Sequence, residues 1–299
     1  MTLWSALKAG FGFLSILPVG ITMEGIEELM NRLYFYPVTG FLLGILIGIG
    51  AFVFELILPS PLSVMAVILA IYGLTWFNHL DGIADMGDGM TAHGSLEKKR
   101  KALKDMALGI GGVASTVLLI LSLYASVSAL ESAAQLFGAF AAESNIYIFG
   151  LLSVLTDLLS KTGGNAALIA AVSAALTVAL TAVVAETLSK QSMLTIAAFG
   201  KPFSEGLGSM TIKGGTKKNL TIGIVFSTIV SVLLLGLLGF LCVIVTTLAA
   251  GVILRTSKRH FEGLNGDGIG TANEVGRMLS FATVATAIWI LGGAVAWML

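Results

Sequence analysis

The sequence predicts an all-α fold, a polytopic transmembrane helical bundle of about seven to nine spans, and three observations carry that expectation. Of the 299 residues, 56% are hydrophobic and only 11% charged, whereas a soluble domain carries about 25% charged residues. The apolar residues gather in runs near the roughly 20 residues that a helix needs to cross a bilayer, without β-barrel alternation. Proline is rare, at five residues, and glycine common, at 36, a balance suited to close-packed membrane helices. The 17 basic and 17 acidic side chains cancel, which excludes the basic face of a nucleic-acid-binding protein. One cysteine, Cys242, lies inside an apolar run and excludes a disulfide scaffold. Residues 1–299 read as one integral membrane domain with no soluble domain or linker.

The elements follow in chain order. Residues 3–17 are expected to form an interfacial or partly inserted helix, because the segment lacks the charged start and cleavage site of a signal peptide. Spans are expected at 37–58, 61–77, 108–130, 134–159 and 165–185, then at 220–238, 239–254 and 277–298. The run from 220 to 254 is too long for one crossing and is folded near 236–239. Residues 186–199 carry Glu186, Lys190 and Gln191 and are short; they either extend the preceding span or return through the bilayer. Charge decides the matter. If 186–199 crosses, the N-terminus and the loops at 79–107, 160–164, 200–219 and 255–277 share one face, which then holds sixteen of the seventeen Lys and Arg residues. The positive-inside rule assigns that face to the cytoplasm of a cell membrane, so the crossing is preferred.

Three polar blocks remain outside the spans. The first is Asn78-His79-Leu80-Asp81-Gly82-Ile83-Ala84-Asp85-Met86-Gly87-Asp88-Gly89. On a helix Asp81, Asp85 and Asp88 fall within about 60° of one face. Three aligned carboxylates without basic partners at i+4 repel one another unless a cation lies between them, and hard oxygens suit Mg²⁺ or Mn²⁺. Glycines 82, 87 and 89 would let a phosphorylated substrate approach the backbone. Behind this block, the basic run from Glu97 to Lys104 reads as a solvated face against anionic lipid headgroups. Lys104 and Asp105 differ, sitting just before the next span where they can meet phosphate charge or the metal. The second block, Gly200 to Ser209, reads as a turn, because the phosphate-loop pattern Gly-x-x-x-x-Gly-Lys-Ser/Thr is absent. In the third block, Asn265 to Glu274, Asp267 stands at the entrance to the last helix, as a cap or as a site residue. No serine or cysteine has the partners of a nucleophile. The residues point to metal-assisted transfer of a phosphorylated group at one membrane face.

The string His79-Leu80-Asp81-Gly82-Ile83-Ala84-Asp85, then Asp88-Gly89, Lys104-Asp105 and Gly109, Glu205-Gly206-Leu207-Gly208 and Gly266-Asp267-x-x-Gly270 resembles the adenosylcobinamide-GDP ribazoletransferase family, the cobalamin 5′-phosphate synthases of vitamin B12 assembly. The resemblance runs from residues 13–18 to Glu274. It implies a Mg²⁺-dependent membrane transferase. Such an enzyme joins adenosylcobinamide-GDP to α-ribazole or α-ribazole 5′-phosphate and releases GMP. It further implies that Asp81, Asp85 and Asp88 hold the metal and that His79, Lys104, Asp105, Glu205 and Asp267 form the catalytic set. Asn78, Gly82, Gly89, Gly206, Gly208 and Asn265 would line the substrates. The sequence departs from the family pattern at Asn78, at Phe203-Ser204, at Ala107 and at Asn265, leaving the acidic block intact.

Two competing readings fit the residues less well. A divalent-cation transporter would place acids near the bilayer midplane and show inverted repeats, but the acids cluster at span ends. A CDP-alcohol phosphotransferase would show Asp-Gly-x-x-Ala-Arg, whereas Asp85 follows Ala84 here. The expected partners are the two substrates and the lipid bilayer, with no nucleic acid, and a homo-oligomer remains open.

Overall fold

Helix α1 (Leu3–Leu14) starts at Thr2, whose hydroxyl accepts the Ser5 N–H. It buries Ala6, Ala9 and Gly10 against α2 (Met23–Asn31) and α3 (Phe35–Ile57) and leaves Leu3 and Trp4 exposed. The computed structural model describes residues 2–141, 150–161 and 165–296, which form twelve helices. Among the described residues the only β pairing is an isolated bridge between Pro202 and Leu264. The other helices are α4 (Leu62–Thr75), α5 (Leu80–Thr91), α6 (Leu96–Ala102), α7 (Ile110–Ala141), α8 (Leu151–Lys161), α9 (Ala166–Phe199), α10 (Leu207–Gly214), α11 (Lys217–Phe261) and α12 (Gly266–Ala296).

Helices α3, α7, α9, α11 and α12 are long and apolar enough to cross a membrane, and α4 with α5, bent by 91°, makes a sixth candidate. This is a multi-pass membrane bundle. Its most extensive pairing is α3 on α9. Glycines 40, 44 and 48 of α3, one turn apart, face the α9 backbone at Glu186, Val183 and Ala179. A side chain at Gly44 or Gly48 would come within 3.0 Å of that backbone, so small residues set this close approach where lipid supplies no hydrophobic drive between helices. The α3–α4 turn is tied to α7 by a 2.7 Å hydrogen bond from Ser60 to Glu131. Glu131 lies 21 residues into α7, a rise of about 31 Å, close to the bilayer core thickness.

Helix α11 folds back on itself. Gly236 leaves the helical region with φ 56° and ψ −132°, a conformation open to glycine, and a Cβ at Gly239 would strike the Ser231 carbonyl. In a straight helix those residues stand about 12 Å apart. The fold expected at 236–239 is therefore present, and counting both arms of α11 gives seven passes.

Two expectations change, and the changes offset each other. Residues 186–199 are not a separate crossing but the second half of α9, which continues because its polar residues find partners inside the bundle. The expected span at 134–159 belongs, where it is described, to the end of α7 and to α8, which Gly150 precedes with φ 57°; residues 142–149 of it lie outside the described residues, as do the last two of the span expected at 277–298. One pass is lost before α9 and one within it, so the loops at 92–109, 200–206 and 262–265 still share a face. Lys161 moves to the opposite face, and Lys190 and Arg277 lie inside the bundle.

Candidate active site

The chain turns from α4 into α5 through Trp76 and Phe77, two bulky residues in the left-handed region at φ 52° and 57°. Such a conformation costs about 1–2 kcal/mol per residue, so neighbouring contacts must hold it. Phe77 stacks on Tyr72 with ring centroids 5.3 Å apart, Asn78 donates its amide N–H to the Phe13 carbonyl at 2.8 Å, and the Ile16 N–H donates to Leu74 at 2.9 Å. The bend delivers Asn78, His79 and Asp81 to a cavity of about 390 Å³, which Tyr36, Met193, Thr211 and Asp267 also line. Of the residues singled out in the sequence, Asn78, His79, Asp81, Gly208 and Asp267 meet there.

The third block supplies the other wall. Asn265 caps α12, its Oδ1 accepting the Gly268 N–H at 3.2 Å while its amide donates to Asp267 Oδ2 at 2.5 Å. Capping thus falls to Asn265, and the second carboxylate oxygen of Asp267 has no hydrogen bond to a described residue. Helices α5 and α12 touch at Gly82, where a Cβ would lie 2.6 Å from the Asp267 carbonyl oxygen, and Thr271 donates its hydroxyl to the Gly82 carbonyl at 3.0 Å. This contact brings Asp81, Asp85 and Asp267 near enough for their charges to repel.

Several of the other residues singled out in the sequence make packing or hydrogen-bond contacts with neighbouring helices, or lie outside this cavity. Gly82 admits the start of α12, and Gly89 admits α11, since a Cβ there would lie 2.8 Å from the Phe261 ring. Gly208 packs on Gly266. Asp88 binds the start of α7, its two oxygens accepting the Gly109 and Gly112 N–H groups at 2.7 Å each, a favourable place for a carboxylate. Lys104 and Asp105 are exposed on the α6–α7 turn and line a second cavity, with Lys104 in electrostatic reach of Asp267. Glu205 points outward, its side chain 91% exposed. Gly206 has φ 134° and open space around it. Among the described residues no three His, Cys, Asp or Glu side chains converge as a ready-made metal cage. Asp81, Asp85 and Asp267 nevertheless lack any basic group within 4.0 Å among the described residues. Such hard, uncompensated oxygens fit an ion that keeps several of its waters, as Mg²⁺ does.

Behind the cavity lies a charge network that the sequence reading missed. Arg277 donates Nη1 to both Glu274 oxygens at 2.6 Å and Nε to Glu186, which also pairs with Lys190. Tyr72 and Asn273 donate to Glu274 at 3.0 and 2.8 Å. All four charged residues are buried, two of each sign, so the network is neutral and couples α4, α9 and α12. His79 packs beside it in reach of Lys190 and Arg277, its Nδ1 buried without a hydrogen-bond partner. The signal was present as opposite charges at i, i+4 (Glu186, Lys190) and i, i+3 (Glu274, Arg277) inside apolar helices, the spacing at which helix side chains pair.

Comparison with known proteins gives a consistent answer. The family model described as cobalamin-5-phosphate synthase matches residues 6–147 and 142–285. A Methanosarcina mazei protein named adenosylcobinamide-GDP ribazoletransferase is 46% identical over 290 residues, covering 95% of this chain and 92% of its own. Proteins of the same name from Methanosarcina barkeri and Methanococcoides burtonii are 47% and 45% identical, with the same coverage. No solved structure matches the chain.

Proposed function

Because this chain belongs to the cobalamin-5-phosphate synthase family, we propose that it is an adenosylcobinamide-GDP ribazoletransferase. It moves the adenosylcobinamide phosphate group from adenosylcobinamide-GDP to α-ribazole or its 5′-phosphate, giving adenosylcobalamin or its 5′-phosphate, and GMP. The observation that carries the reading beyond the family is the cavity at the α5–α12 contact, where His79, Asp81 and Asp267 face one space. The transporter and CDP-alcohol readings find no support.

In the reaction, the acceptor hydroxyl forms a new bond to the corrinoid-bound phosphorus as the P–O bond to the bridging oxygen breaks, and GMP leaves with that electron pair. We place the acceptor in the cavity and assign its hydroxyl proton to one of the carboxylates that line it, Asp81 or Asp267, with His79 facing the same space. Lys104 faces the diphosphate from the α6–α7 turn. Asp81, Asp85 and Asp267 are the residues that would hold Mg²⁺, and Asp88 fixes α5, which carries the first two, against α7. The chemistry that Mg²⁺ supplies when bound is neutralisation of diphosphate charge. Fourteen of the seventeen basic residues lie in 1–34, 92–109, 200–218 and 255–265, the segments at the site's end of the bundle. On the positive-inside rule the site therefore faces the cytoplasm of the cell membrane.

The test is the reaction itself. Purified protein in lipid with Mg²⁺, adenosylcobinamide-GDP and either acceptor should form a cobamide and GMP in equal amounts, and no cobamide with either acceptor would refute the reading.

A further inference from the structure

A second cavity, of about 730 Å³, opens beside the α6–α7 turn, and apart from Lys104 its walls take no part in the chemistry described above. Its basic side chains are Arg100, Lys101 and Lys104, against the acids Glu97 and Asp105, with Phe203 giving an aromatic wall. None of the three bases forms an ion pair with a described residue. Arg100 is already fixed. Its Nε and Nη2 donate to the Phe261 carbonyl at 3.1 and 2.7 Å, and its guanidinium lies 4.7 Å over the Phe203 ring. Nη1 is left with no partner among the described residues. Phe203 in turn leans on Phe261 and on Gly263, so the arginine and the ring are held by α11 and the loop after it.

We propose that this cavity is a nucleotide subsite, which holds the nucleoside monophosphate half of the donor before transfer and the released monophosphate after it. The inference rests on the transferase reading for the identity of the donor. A pre-positioned guanidinium and two unpaired ammonium groups suit phosphate oxygens. Position agrees with this role. Lys104 belongs to the second cavity yet lies in electrostatic reach of Asp267 in the first, so a diphosphate bound between them has its nucleotide end at the basic wall and its reacting phosphorus near the acids. Anionic lipid headgroups share the phosphate chemistry, but a fixed Arg–Phe stack set against the loop after α11 favours a nucleotide.

The experiment measures GMP binding by equilibrium dialysis with the whole protein in phosphatidylcholine nanodiscs, for the native chain and for Lys101→Glu, Lys101→Arg and Phe203→Leu. Lys101→Glu should weaken GMP about fivefold, the upper scale of an exposed charge contact, Lys101→Arg should keep native binding, and Phe203→Leu should weaken it by releasing Arg100. The KM for adenosylcobinamide-GDP should rise in step in Lys101→Glu, with the KM for α-ribazole unmoved. Equal GMP affinity in all four proteins overturns the subsite. So does Lys101-dependent binding of phosphatidylglycerol vesicles without GMP binding, which would make it a headgroup site. The two inferences fail separately: Lys101-dependent GMP binding by a protein without transferase activity keeps the subsite and refutes the transferase, whereas transfer with an unchanged donor KM in Lys101→Glu does the reverse.

Discussion

Replacing Gly82 by alanine adds one methyl group at the point where α5 crosses the start of α12. The new Cβ would lie 2.6 Å from the Asp267 carbonyl oxygen and 3.2 Å from its Cα, where ordinary contact begins near 3.4 Å. These are backbone atoms and no rotamer change relieves them, so the helices must separate by about 0.8 Å to bring the 2.6 Å contact out to 3.4 Å. That displacement also stretches the 3.0 Å hydrogen bond from Thr271 to the Gly82 carbonyl. It moves Asp81 and Asp85 away from Asp267, and a misplacement near 1 Å can cost about a hundredfold in turnover. Overpacking adds about 1–3 kcal/mol of destabilisation, part of which the better helix propensity of alanine offsets. The assay is kcat/KM for cobamide formation, with the thermal midpoint in detergent beside it. Gly73→Ala is the control, since nothing lies within 4 Å of that position, and it should keep native turnover. Native turnover in Gly82→Ala would refute the idea that the α5–α12 contact sets the site.

Three further outcomes are expected. Arg277→Met leaves Glu186 and Glu274 buried with Lys190 alone and should cost about 3–5 kcal/mol, read as a large fall in the thermal midpoint; an unchanged midpoint would contradict a paired network. Asp88→Ala frees two N–H groups at the start of α7 and should cost about 1–2 kcal/mol, and Asp88→Asn, which keeps one acceptor oxygen, should recover part of it. In a Cys242→Ala background, cysteines placed at Lys161 and Lys201 should react with an impermeant maleimide from opposite sides of the membrane, and labelling from the same side would refute a single pass for α9.

The spans at α3, α7 and α12 and the fold in α11 were legible because uninterrupted apolar runs and a glycine pair report directly on burial in lipid. The continuity of α9 was not, because Glu186, Lys190 and Gln191 look like a helix end when their partners are unknown. The partners of Glu186 and Gln191 outside α9, Arg277 and Ser227, come from distant segments. Arg277 likewise reads as a loop residue in the sequence, although α12 begins eleven residues earlier. Within the site, residue type was readable and the job of each residue less so. The periodicity of Asp81, Asp85 and Asp88 put all three on one face, but only tertiary structure shows that Asp88 is engaged by α7 while Asp267 joins the others. Glycines were the hardest residues to interpret, since an open approach for substrate and a close approach for a helix leave the same mark on a sequence.

Whether the acids of α5 and Asp267 act as one reacting centre is tested most directly by a double-mutant cycle. kcat/KM for cobamide formation would be measured for the native chain, Asp85→Asn, Asp267→Asn and the double variant, each with its thermal midpoint to confirm folding. Groups that act as a unit are strongly non-additive, so each single change should cost about a hundredfold or more and the double change little beyond the worse single. Losses that simply multiply, or a single variant with native kcat/KM, would contradict a shared centre at the α5–α12 contact.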